Sequence, residues 1–138
     1  MADPLTKAQF IARSDTYCRK TWGRMLRRFA IYKRAPKNAG DSAGRVFAHA
    51  TGDIFLPIIL FWYDQINSLS RPPGDSAQIE RFLTTGLQRA VETALDRPYS
   101  FESPAELAAH YRRSNRLVRG YGIRDCVVTT ASFADRAG

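Results

Sequence analysis

Apolar residues recur every three or four positions along nearly all of this chain, and only the short Val127-Val128-Thr129-Thr130 reads as strand. A 3.6-residue period commits a segment to a helix with one buried face and denies it a place in a sheet. Four such stretches follow one another, separated by polar breaks.

The first runs from Thr6 to about Lys33, opened by the capping-box pattern Thr6-Lys7-Ala8-Gln9. Its stripe is Phe10, Ile11, Ser14, Cys18, Trp22, Met25, Phe29 and Tyr32, and Asn38-Ala39-Gly40-Asp41 ends it. The second starts near Asp41 or Ser42 and reaches about Leu69, with Phe47, Ala50, Ile54, Ile58, Phe61, Gln65 and Leu69 on one face. Pro57 either bends it or divides it into two helices that meet around Gly52 to Leu56. Asp75 or Ser76 caps the third, which carries Ile79, Phe82, Leu83, Leu87, Val91 and Leu95 and stops at Pro98. Ser103-Pro104-Ala105-Glu106 opens the fourth, whose stripe ends at Tyr121 before the capping glycine Gly122.

Four amphipathic helices with short connections predict an all-α fold, an up-down-up-down antiparallel four-helix bundle. The expected division is an N-terminal extension over 1–5, one helical domain over 6–126 and a loose tail over 127–138. In this topology the fourth helix ends beside the start of the first, so the segment after Gly122 can run back along it towards Cys18.

The chain has 138 residues, enough for one domain with an ordinary core. Its longest apolar run, Ile54 to Tyr63, has ten residues against the roughly 20 of a membrane span, so no transmembrane segment is expected. Met1-Ala2-Asp3-Pro4-Leu5 has no basic or apolar leader character and reads as a mature or cytoplasmic start.

Charge is the unusual feature, at +8 net with 21 basic against 13 acidic side chains. On a helical wheel Arg13, Lys20, Arg24, Arg27, Arg28 and Arg34 fall within about 120° of one another, away from the apolar stripe. The fourth helix adds Arg112, Arg113, Arg116 and Arg119, and in a bundle the two sets can merge into one positive surface. Such a face attracts an anionic polymer or an anionic lipid surface. Nucleic acid ranks behind them, because no helix-turn-helix spacing, zinc-ligand set or aromatic RNA platform is present.

Phe61-Trp62-Tyr63 are consecutive, so on a helix they span about 200° and cannot all face one core. Either a protein partner or a second copy covers them, or the first helix and the tail wrap around them with Trp62 half exposed. The aromatic set Trp22, Phe29, Phe47 and Trp62 reads as core before it reads as a ligand pocket.

Groups for catalysis are sparse. Glu106 and His110 share a helix face, but four glutamates and two histidines do not supply the paired Glu-x-x-His sets of a di-iron bundle. No phosphate loop, nucleophile elbow or His-Glu-x-x-His occurs. Neither an enzyme nor a cofactor is expected.

Cys18 and Cys126 are the only cysteines, and by composition alone they read equally well as a bonded pair or as two buried thiols. The phrase Phe10-Ile11-Ala12-Arg13-Ser14-Asp15-Thr16-Tyr17-Cys18 resembles the F-x-x-x-A-D-x-x-C opening of small actinobacterial secreted proteins and lipoproteins of uncharacterised function. Pro72-Pro73-Gly74-Asp75 is similar to that family's centre, and Tyr121-Gly122-Ile123-Arg124-Asp125-Cys126 to its Tyr-Gly-x-x-x-Cys close. The likeness covers roughly residues 5 to 126 and departs at Ser14, where the family has alanine, and in the absence of a signal peptide or lipobox. It implies a Cys18–Cys126 disulfide and a secreted or envelope-associated helical domain, and it implies no activity. The resulting expectation is a non-enzymatic binding domain. Its alternatives are a cytoplasmic nucleic-acid- or ribosome-associated protein and a scaffold docking through the aromatic run.

Overall fold

The computed structural model describes residues 3–36 and 40–133. Within them the chain is all-helical, with five helices, no strand and a disulfide between Cys18 and Cys126. The helices are α1 (Lys7–Arg34), α2 (Ala43–Ser68), α3 (residues 76–95), α4 (Pro104–His110) and α5 (Arg112–Tyr121), followed by a 3₁₀ turn at Thr130–Phe133.

Start signals act where the sequence places them in the first, second and fourth stretches; Asp75 stands at the start of α3 but makes no capping hydrogen bond, its carboxylate accepting the Tyr121 hydroxyl instead. Thr6 Oγ1 accepts from the Gln9 N–H, and the Thr6 N–H donates to Gln9 Oε1 at 2.9 Å. This reciprocal cap is worth about 0.5–2 kcal/mol. Lys33 and Arg34 in the last turn oppose the negative end of the helix dipole. Ser42 and Ser103 cap α2 and α4 through the N–H groups of Arg45 and Glu106. Gly122, at φ 112°, closes α5 in the left-handed region that favours glycine. The expected break after α1 includes Asn38 and Ala39, which lie outside the described residues.

α2 stays continuous through Pro57 by widening one turn. Thr51–Phe55 is a π-segment, in which the Leu56 N–H reaches back five residues to the Thr51 carbonyl. The wide turn makes room for a ring that would otherwise collide with the carbonyl four residues earlier. By length and composition alone α2 could cross a membrane, yet half of its most apolar stretch is buried inside the domain. A second π-segment, Arg81–Gln88, lies in α3. The fourth stretch is two helices, because the backbone turns at Tyr111 (φ −92°, ψ 5°).

α1 buries Phe10, Ser14, Cys18, Thr21 and Met25 against the core. Gly86 lets α5 approach α3, since a Cβ there would lie 3.4 Å from Leu117 Cδ1 and 3.5 Å from Ser114 Cα. The start of α1 meets the ends of α2 and α5: the Leu5 N–H donates to Ser70 Oγ, and Phe10 packs edge-on against Tyr121. At the other end Arg45 of α2 pairs with Glu102, just before α4.

The segment after α5 is not a loose tail as far as Phe133. Val127 and Val128 are buried, the Trp22 indole donates to the Ser132 carbonyl at 2.7 Å, and Phe133 packs against Trp22, Phe47 and Phe55. Trp22, Phe29, Phe47, Phe55, Trp62 and Phe133 thus form one aromatic core. Residues 134–138 of the expected tail lie outside the described residues.

Two buried tyrosines set an alkaline limit. Burial pushes the Tyr111 phenol far above its ordinary 10.0, and burial with the Asp75 carboxylate 2.7 Å away raises Tyr121. A raised folded-state pKa stabilises fully below the unfolded value and is lost as pH rises through the folded one. Stability should therefore fall from about pH 10 upwards. Tyr111→Phe should be at least as stable as the wild type at pH 7, because the Tyr111 hydroxyl has no hydrogen-bond partner among the described residues. Its urea midpoint should also fall less between pH 9 and pH 11. An equal fall in both proteins would contradict this role for Tyr111.

Candidate functional site

The site begins where the chain turns back from α5 onto α1. Asp15 Oδ1 accepts the N–H groups of both Arg124 and Asp125 at 2.8 Å. One turn further along α1, Cys18 is bonded to Cys126 with their Cα atoms 5.2 Å apart, and a further turn on stands Trp22. On the α5 side the buried Asn115 carboxamide makes a two-point pair with Val128, accepting its N–H at 2.9 Å and donating to its carbonyl at 2.7 Å. Residues 123–133 are therefore strapped between α1 and α5.

That strap forms one wall of an open groove of about 820 Å³. Its floor is Ala105, Ala108, Ala109 and Val128, Thr129 and Thr130 supply hydroxyls, and Arg112, Arg116 and Arg119 line it from α5. The three arginines lie at i, i+4 and i+7, spanning about 10 Å of helix. Arg119 also lines an adjoining depression of about 360 Å³ with Arg19, Arg124 and Thr129. Arg19 is paired with Asp125 at 3.1 Å; Arg112, Arg116, Arg119 and Arg124 have no acidic partner among the described residues.

The two predicted basic sets are not joined as expected. Arg13 and Lys20 face the end of α2, lining a separate depression of about 470 Å³ with Tyr17, Gln65 and Leu69. Arg24, Arg27, Arg28 and Arg34 are exposed on α1, and Arg113 lies on another side of α5, towards α3. The link from α1 to the α5 groove runs through Arg19 and Arg124 instead. Arg19 falls outside the predicted α1 sector, one residue after Cys18. Only its neighbour's pairing to Cys126 pointed to that face.

The aromatic run resolves residue by residue. Trp62 is fully buried, and its indole N–H donates to Thr21 Oγ1 at 2.7 Å, so it is core and offers nothing to a partner. Tyr63 is half-buried against the core, and Phe61 is 56% exposed. Of the expected interface only Phe61 presents a large apolar surface.

A second polar cluster lies at the far end of the domain. Tyr99 Oη donates to Asp53 at 2.8 Å, and His49 Nε2 sits 3.7 Å from Asp41. Tyr32 is half-buried nearby with its hydroxyl enclosed, and its phenol is pushed up by desolvation and then by the Asp53 and Asp41 charges. An added Cβ at Gly52 would overlap the Tyr99 ring, so the close packing needs glycine there. The described residues hold no group of three histidine, cysteine or acidic side chains arranged for a metal ion. Glu106 and His110 do not pair: Glu106 accepts the Glu102 N–H, and His110 Nε2 meets the Ala90 carbonyl at 2.8 Å.

No protein-family model, curated protein or solved structure matches the chain.

Proposed function

We propose that this chain is a non-enzymatic binding domain that holds an anionic polymer along the groove between α5 and the strap. The observation that carries this reading is the row Arg112, Arg116 and Arg119, unpaired and exposed over a floor of small apolar residues. No acidic side chain among the described residues neutralises them, and the concave groove suits a flexible chain better than a flat bilayer. No aromatic ring lines it, so it offers anionic groups a contact without a stacking platform for bases.

The four helical stretches fit an up-down-up-down bundle: the start of the first meets the end of the second, the end of the fourth meets the start of the third, and the start of the second meets the connection from the third to the fourth. A disulfide fits an oxidising compartment, in line with the resemblance to secreted and lipoprotein sequences. A cell-envelope or secreted location follows in this reading, with an acidic envelope polymer as ligand class.

A single-stranded oligothymidylate serves as a plain polyphosphate probe, with heparin as a sulfated one. Loss of three contacts in Arg112→Ala/Arg116→Ala/Arg119→Ala should make the slope of log K against log salt shallower by about 2. An unchanged slope would remove the groove from the binding surface.

A further inference from the structure

We infer that a second, smaller site between α3 and α5 binds a single tetrahedral oxyanion, phosphate in its free or monoester form. A cavity of about 160 Å³ opens there, lined among others by Arg89, Thr93, His110, Arg113 and Ser114. It holds roughly five waters' worth of space, and it falls below the about 300–1,000 Å³ of pockets for organic ligands.

The independent pointer is Ser114. Four serine and threonine side chains are buried in the described helices, and Ser14, Thr21 and Thr51 each turn back to the carbonyl four residues earlier, at 2.8–2.9 Å. Ser114 does not. It is 2% exposed, and its Oγ has no hydrogen-bond partner among the described residues. A buried polar atom left unpaired is costly unless something outside the chain satisfies it.

The surroundings are of one sign. Arg89 and Arg113 are exposed and have no acidic partner among the described residues. The Ala90 carbonyl can only accept, so at 2.8 Å His110 Nε2 donates to it, with Thr93 Oγ1 3.1 Å from the same nitrogen. Nothing in the lining is acidic. Two arginines from facing helices and a buried, unpartnered serine line the same cavity, and together they supply the donors that phosphate oxygens accept. The π-segment of α3 ends at Gln88, and Gly86 within it brings Ser114 close to α3.

Calorimetric titration of the full chain with inorganic phosphate and with O-phosphoserine, in chloride buffers of matched ionic strength, tests this. Saturable one-to-one binding is expected. The tighter of the two ligands then identifies whether the free ion or a monoester group is held. Arg89→Ala and Arg113→Ala should each weaken binding by about tenfold, and Ser114→Ala by a similar factor without lowering the melting temperature. Arg112→Ala/Arg116→Ala/Arg119→Ala should retain it. No saturable binding, or loss in that triple variant with Arg89→Ala unaffected, would overturn the assignment, and either result leaves the polymer groove standing.

Discussion

Reducing the Cys18–Cys126 bond should lower the unfolding free energy by up to about 4.7 kcal/mol, because the bond closes a sequence separation of 108. Thermal unfolding with and without reductant should then differ by roughly 10–20 °C. Most of that effect acts through the unfolded chain, whose ends the bond holds together. The folded domain should survive reduction, since Asp15, Trp22 and Asn115 tie the same strap by hydrogen bonds. Hydrogen exchange should therefore accelerate in residues 123–133 before it does in α1 or α3. Cys18→Ser/Cys126→Ser should reproduce both changes. Equal melting temperatures for the oxidised and reduced protein would exclude the bond as a determinant of stability.

Trp62→Ala should cost about 3–5 kcal/mol, whereas Phe61→Ala should stay within about 0.5 kcal/mol. The two residues are neighbours in sequence and opposites in environment. Trp62 is fully buried, packs against Trp22 at a 45° tilt with ring centroids 5.3 Å apart, and donates its indole N–H to Thr21. Its removal opens a cavity and leaves the Thr21 hydroxyl short of one donor. Phe61 is mostly exposed and gives up little on truncation. Urea denaturation measures both costs. Similar costs for the two, or a Trp62→Ala protein as stable as the wild type, would contradict this division.

The helices were legible because periodicity and capping are local. Thr6, Ser42, Ser103 and Gly122 act where their residue types place them, and Ser14 and Cys18 are buried as their stripe requires. The split at Tyr111 left no trace, since a bend that preserves the side-chain stripe looks like one helix. Pro57 signalled a perturbation in α2, but a widened turn and a chain break begin from the same residue. The strap was harder to see. Phe133 is one aromatic in a non-periodic segment, and the tie between Asp15 and the N–H groups of Arg124 and Asp125 joins residues 109 and 110 positions apart. Arg112, Arg116 and Arg119 were visible as a basic row, but the groove they line needs a wall from the strap. Wheel geometry on a single helix could not supply it, and for the same reason it joined Arg13 and Lys20 to the wrong surface.

Charge alone attracts polyanions, so the decisive comparison removes equal charge from two places. Arg112→Ala/Arg116→Ala/Arg119→Ala and Arg24→Ala/Arg27→Ala/Arg28→Ala both take the net charge from +8 to +5, since 8 − 3 = 5. Heparin affinity at fixed salt should fall at least about tenfold further in the groove variant than in the α1 variant. Equal losses would mean that net charge rather than the groove binds the polymer.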